Sequence, residues 1–304
     1  MSWGSLADFL FDSPVSWLWP IALLPLLSAV LCNRAARLLP PTQADWRVAA
    51  IMAGAPGFIM VVLLTMAVGR GVLHLHLDGI GHLIEYHLIW VLAWPILLPA
   101  VRNARTRNRQ LRAVVVMASS PSPRLAAAAA AVGIEARELR LTTFECFLAG
   151  IWRPTAYVSA AAVARLSDEE LRAALHHERA HRDGADLALH AVLSFLTDVV
   201  PTSGLALQAC KRARERRADA DATVHAGPLP LASALLAFSR PHPAAAIGMA
   251  EVDPAWRLRA ILGVEPDAGP MAAPVDSIAA LVASGAMACW PAIQVPLTFL
   301  LCSS

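Results

Sequence analysis

Charge is scarce in this chain. Of its 304 residues 16% are charged and 57% hydrophobic, and the mean hydropathy is +0.53. So little polar surface cannot coat a water-soluble globule of this size, and a membrane environment is expected. The low charge also excludes a disordered chain, and the lack of any repeat excludes a collagen-like fibre or a coiled coil. A formal net charge of +2 gives no ground for direct nucleic-acid binding. Cysteine is sparse and scattered, at Cys32, Cys146, Cys210, Cys289 and Cys302, with no C-x-x-C pair. That excludes a disulfide framework and a thiolate zinc site. Lysine is almost missing: Lys211 is the only one among 25 basic residues, a trace of base composition that carries no mechanism. A basic leader is missing too, since Asp8 and Asp12 are the only charges before the first apolar run and Pro20 and Pro25 interrupt it. A cleaved signal peptide is not expected.

Long apolar runs are present. Val15 to Cys32, Val48 to Val68, Leu83 to Val101 and Ser277 to Leu301 are each long enough to serve as spans of a hydrocarbon core that takes roughly 20 helical residues. Arg34, Arg37 and Arg47 lie between the first two, only Arg70 between the second and third, and Arg102, Arg105, Arg107, Arg109 and Arg112 crowd the exit of the third. The positive-inside rule then puts both termini outside. Residues 1–101 form a three-span membrane region, 102–276 a cytoplasmic domain and 277–304 a last span. A fifth apolar stretch, Ala185 to Leu207, holds Asp186, His190 and Asp198 and breaks at Pro201 and Gly204. It reads as a helical hairpin, buried in the domain or dipping into the inner leaflet, and not as a crossing.

The cytoplasmic segment alternates α and β signals. Ala113–Met117, Leu139–Phe144 and Thr155–Ser159 read as strands, and Pro123–Val132 as a helix ended by Gly133. Ser167 with Glu170 three residues on forms a capping box, starting a helix that Gly184 ends. On that helix lies His177-Glu178-Arg179-Ala180-His181, an H-E-x-x-H. Positions i and i+4 differ by about 40° around a helix, so both imidazoles leave one face and can hold one zinc ion. Glu178 stands about 100° round from His177, where a carboxylate can reach a water as general base. A bare pentapeptide of this kind arises by chance, so a third ligand is needed. Glu215-Arg216-Arg217-Ala218-Asp219 supplies one: Glu215 as carboxylate ligand, with Asp219 on the same helix face to accept from a ligating imidazole. The basic residues from Lys211 to Arg217 read as a solvated or headgroup-facing run, and His176 and His190 as packing residues.

These residues resemble the BlaR/MecR family of integral-membrane zinc peptidases, relatives of the gluzincins. The likeness is carried by Gly150-Ile151-Trp152-Arg153-Pro154 before a strand, Leu166-Ser167-Asp168-Glu169-Glu170-Leu171 before the zinc helix, Asp183 and Asp186 after it, Glu215 to Asp219, and Trp256 to Leu262 with Arg259. It implies a multi-pass α-helical membrane protein of the bacterial cytoplasmic (inner) membrane with a cytoplasmic α+β zincin-like metalloprotease domain. It also implies one zinc per chain, Glu178 as base, and a peptide or protein substrate, either a cytoplasmic transcriptional repressor or the chain itself. A homodimer is compatible with this reading. Of a family tract before the third-ligand helix only Pro201 remains, and the chain ends at Ser304, after its last span, so β-lactam sensing by this polypeptide alone is not expected.

An extended substrate would lie on an exposed edge strand, read as Thr155, Ala156, Tyr157, Val158 and Ser159. Arg259, His225 and Tyr157 are the candidate donors to a developing oxyanion. On the other side of the membrane, His74, His76, Asp78, His82, Glu85 and His87 read either as a metal or pH sensor on an extended segment or as an interfacial loop. A quality-control protease, a non-catalytic metal-binding receptor and a transporter are the competing functions. The intact base argues against the receptor, and the scarcity of charge within the spans against the transporter.

Overall fold

A computed structural model of the chain describes residues 18–38, 46–77, 83–200, 204–238 and 254–264. Three long helices come first, α1 Leu18–Leu38, α2 Trp46–Leu77 and α3 Leu83–Val115. Among the described residues one stretch, Arg47–Thr65 of α2, is long and apolar enough to cross a membrane, and more than half of it is buried within the protein; Leu23–Ala36 of α1 is apolar but shorter. The stretch Ser277 to Leu301 lies outside the described residues. Helix α2 continues to Leu77, so His74 and His76 lie on helical and not extended backbone. Two positions differ by about 200° there, which removes the basis for a shared side. Asp78 and His82 lie outside the described residues.

Helix α3 runs through its whole arginine cluster. No glycine or proline lies between Pro99 and Pro121, and Arg, Ala, Gln and Leu are good helix formers, so nothing ends the helix where the apolar run stops. The expected strand Ala113–Met117 is accordingly the end of α3 and the turn that follows it, and β1 is only Ala118–Ser119. Helix α4, Pro123–Val132, follows as expected, closed by Gly133 at φ 75°. The second expected strand, Leu139–Phe144, is not a strand beyond Leu139: it is the connection between β2, Ala136–Leu139, and β3, Cys146–Ala149. Strand β4 is Thr155–Ser159. The sheet order is β1-β2-β4-β3, with β2 and β4 parallel and the outer pairs antiparallel. Thr155–Ser159 is therefore interior, paired on both sides, which corrects its reading as an edge; among the described residues the edges are β1, of two residues, and β3. The local sequence does not tell which strands flank it, since that is set by the placement of β2 and β3.

After β4 come α5 Ala160–Arg165, α6 Asp168–Asp183, α7 Asp186–Val199, α8 Gly204–Ala226, α9 Pro228–Phe238 and α10 Pro254–Ile261. The capping box on α6 is complete: Glu170 N–H donates to Ser167 Oγ at 3.2 Å, and Ser167 N–H to Glu170 Oε2 at 2.7 Å. One face of β4, Ala156 and Val158, packs with Leu125, Val132, Leu171, Leu175 and Phe238 of α4, α6 and α9. The other, Tyr157, stacks on Phe147 at 5.6 Å and joins Leu111, Val114 and Val115 of α3.

The apolar hairpin is formed by α7 and the start of α8, and both arms pack on the long helices. Leu193, Ala206, Ala209 and Cys210 meet Cys32, Ala49, Met52 and Ala53; Val199 and Val200 meet Ile59, Met60 and Leu63. Asp198, a charge within that apolar stretch, accepts from Arg107 Nη2 at 2.6 Å and Asn103 Nδ2 at 3.3 Å. The closest approach is at Gly57 of α2, where a Cβ would stand 2.1 Å from the Leu196 carbonyl oxygen. Only a residue without a side chain lets the backbones of α2 and α7 come so near. At Gly54 the nearest atoms are the ends of Leu193 and Leu196, at 3.0 and 3.3 Å, which can turn aside. Gly57→Ala should cost about 1–3 kcal/mol by overpacking, whereas Gly54→Ala should stay within about 1 kcal/mol of wild type. Thermal unfolding of the two purified variants measures the difference.

Candidate metal centre

Three helices build the site. Helix α6 is fixed by its capping box and by burial of Leu171, Ala174 and Leu175, so its opposite edge turns His177 and His181 toward α8. Helix α8 presents Glu215 and Asp219 one turn apart. Their separation from the imidazoles is small: His177 Nε2 to Glu215 Oε2 is 3.4 Å and His181 Nε2 to Glu215 Oε1 is 3.3 Å. The two Nε2 atoms stand 3.0 Å apart. Residues nearly forty positions apart in sequence thus meet as the spacing predicts.

The other ring nitrogens decide which atoms are left to face a cation. His177 Nδ1 lies 2.9 Å from Asp219 Oδ1, and His181 Nδ1 lies 2.7 Å from Asp186 Oδ2. Each Nδ1–H donates to its carboxylate, which leaves both Nε2 atoms as lone-pair acceptors. Glu215, their common neighbour, is also acceptor-only. Four acceptor atoms therefore converge with no proton of their own to share. Donors about 2.0–2.1 Å from a tetrahedral zinc stand about 3.3 Å from one another, and the separations here are 3.0 to 3.4 Å. His177, His181 and Glu215 form a group that could hold a metal ion.

The electrostatics agree. Burial disfavours protonation of both imidazoles, yet hydrogen bonds to Asp219 and Glu215 for His177, and to Glu215 for His181, outweigh it and hold both above the ordinary histidine value. A field that draws protons to these nitrogens draws a cation by the same means. Burial would raise the carboxyl of Glu215, but Arg257 and the two histidines hold it well below the usual range. Glu178 behaves oppositely. It is almost wholly buried, and desolvation first and Glu215 second raise its pKa against the pull of both histidines and Arg257. Among the described residues no hydrogen bond or ion pair engages its carboxylate. A buried base with a raised pKa beside the ligand face is poised to exchange a proton.

Two contributions were not read from the sequence. Arg257 of α10 is completely buried, with Nη1 2.9 Å from Glu215 Oε2, and Nη2 and Nε 2.6 and 2.8 Å from the two oxygens of Asp219. It neutralises the carboxylates of α8 and lies against the His177 ring. Arg259, the expected residue, is exposed: two positions on α10 turn it about 200° from Arg257. The second is Asp186, which holds His181 with one oxygen and receives Arg214 and Arg217 on the other, Arg217 at 2.8 Å. This corrects the reading of the basic run as solvated, since Arg214 is buried and Arg217 also donates to the Ala180 carbonyl at 3.0 Å. The pair lies three apart and so shares a helix face, which was the available signal. Ala185, at φ 51°, turns the chain between α6 and α7 so that Asp186 faces back to His181.

His225 does not join the ligands. Its ring stacks on His176 at 4.8 Å, and its Nδ1 donates to the Asp221 carbonyl at 2.8 Å. Tyr157 lies on the sheet face away from α6, so neither it, nor His225, nor Arg259 is brought to the centre. Asp219→Asn and Asp186→Asn should each weaken metal binding by about 10–100-fold, because each fixes a ligating ring. Competition against a chelator of known affinity reads that loss. These expectations rest on geometry, since the chain matches no family model, no characterised protein and no solved structure.

Proposed function

We propose that the protein is a membrane-embedded zinc metalloendopeptidase that hydrolyses peptide bonds of a cytoplasmic protein, or of itself, in signal transduction. The observation that carries this reading is the convergence of His177, His181 and Glu215 beside the buried, unengaged carboxylate of Glu178. A binding site alone would need only the first three. Zinc, when bound, supplies Lewis acidity toward a scissile carbonyl and lowers the pKa of water toward about 7.

The chain's own residues do the rest. Glu178 accepts the proton of the attacking water and returns it to the leaving amine, a role suited to a carboxyl whose pKa burial has raised. Arg257, Asp219 and Asp186 keep the ligands oriented and their charges balanced. The substrate lies along β3, not β4: β3 has a free edge and packs directly on α6. Cys146 on β3 is close enough to Glu178 that, after burial, that carboxylate is the next cause raising its thiol pKa. An extended peptide paired to β3 would be held through its backbone, without demand for one sequence. The membrane setting is supported by the apolar stretch of α2 and by exposed Leu23, Leu26, Leu27, Phe58, Trp94 and Leu98 on the long helices.

Glu178→Gln should keep stoichiometric zinc and lose about 10²–10⁴-fold in peptide hydrolysis, whereas Glu215→Ala and His177→Ala should lose the metal. Metal analysis of each purified full-length variant, with self-cleavage and casein digestion as activities, tests this. A Glu178→Gln protein that cleaves at the wild-type rate overturns the mechanism. Metal without hydrolysis in the wild type would instead favour a receptor.

A further inference from the structure

The turn between β3 and β4, residues 150–154, carries two apolar side chains that the fold leaves outside. Trp152 is 94% exposed and Ile151 51%. An indole in water forgoes the burial of about 150–250 Å² that aromatic side chains ordinarily gain. The turn itself is closely built. Gly150 sits at φ +99°, where a Cβ would meet the Arg153 carbonyl oxygen at 2.6 Å, and Thr155 Oγ1 donates to that same oxygen at 3.4 Å. The backbone thus holds Ile151 and Trp152 out at its tip, with exposed Arg153 beside them.

The topology sets where the tip points. Helix α3 ends over the sheet, with Leu111, Val114 and Val115 in the cluster that contains Ala149 and Tyr157. Its chain then enters β1, which pairs at the Leu139 end of β2. The turn lies at the opposite end of the strands, where Ala149 pairs with Thr155 and Ala136 with Ala156. Going back along α3 from Val115, on the sheet face that carries Ala149 and Tyr157, leads to the exposed Arg112, Arg109, Arg105 and Arg102. Beyond them α3 exposes Leu98 and Trp94. An exposed indole and isoleucine on the sheet that α3 packs upon, a band of arginines along α3 and an apolar surface beyond it supply the groups that suit the headgroups and the hydrocarbon of an anionic leaflet.

We propose that Ile151 and Trp152 anchor the peptidase domain in the headgroup region of that leaflet, with Arg153 and the α3 arginines on its phosphates. The anchor rests on the reading of α1–α3 as membrane helices. It fixes β3, the free edge beside Glu178, at the membrane surface, so the substrate strand is drawn from segments that run close to the lipid.

The test uses the full chain with 5-fluorotryptophan in phosphatidylglycerol-containing nanodiscs. Among the nine tryptophans, the fluorine resonances of Trp152 and Trp94 are assigned by their disappearance in Trp152→Phe and Trp94→Phe. Both side chains are exposed, so neither change disturbs packing. Lipid carrying a nitroxide near the headgroup should abolish the Trp152 signal, while a water-soluble gadolinium chelate leaves it. Loss of the Trp94 signal to nitroxide lipid with Trp152 lost only to the chelate overturns the anchor, leaves the membrane reading standing and frees the turn for a protein partner. Survival of both signals in nitroxide lipid overturns the membrane reading and the anchor with it.

Discussion

Two hydrogen bonds that never touch a substrate govern the centre: His177 Nδ1 to Asp219 and His181 Nδ1 to Asp186. Each fixes a tautomer and a ring plane, and together they aim two lone pairs at one point that Glu215 also faces. Without them the Nε2 atoms could carry protons or turn away, and the residues of the motif would be ordinary polar neighbours. The carboxylates in turn need countercharges, because an unpaired buried carboxylate costs several kcal/mol. Arg257 supplies this for Glu215 and Asp219, and Arg214 and Arg217 for Asp186. The polar network thus closes around a group of acceptors that could hold a cation.

That network also ties the centre to the long helices. Asp186 begins α7 and Asp198 stands near its end, so one helix is held by His181 at the end beside the candidate site and by Arg107 of α3 at the other. Between them Leu196 lies against Gly57 of α2. Helix α8, which carries Glu215, starts in the same apolar contacts with α1 and α2. Glu215 therefore sits on a helix packed against the proposed spans, and His181 is held by Asp186 from a second such helix, while α6 itself does not pack on them. A shift in those spans has a short, rigid route to the spacing between His181 and Glu215.

What could be read from the sequence follows the range of the interaction. The capping box, the H-E-x-x-H face and the Glu215–Asp219 pair are spacings of three or four on one helix, and local geometry settles them. Helix α4 and its Gly133 terminus were legible for the same reason. Sheet order is not local: Thr155–Ser159 has the composition of a strand, but only the placement of β2 and β3 decides that it is interior. Arg257 was missed because it reaches the site from 38 residues beyond Asp219, and a neighbouring arginine two positions on looked equivalent in the sequence. Helical phase separates the two, and that phase is read only when the buried partner is known. The basic run on α8 failed in a related way, since its solvated appearance hides Arg214 and Arg217 turning inward to Asp186.

The edge-strand correction changes the chemistry that the site supports. A substrate on β4 would have displaced strand pairs already made on both sides. On β3 the backbone groups of one edge remain to be used, and Cys146 of that strand lies within the field of Glu178. In the proposed peptidase, binding and proton transfer would then be adjacent without any rearrangement of the sheet. A base desolvated by its own helix, ligands oriented by buried carboxylates and a free edge in one place demand more convergence than a metal receptor would need. That surplus of organised groups is the physical reason for preferring hydrolysis to binding.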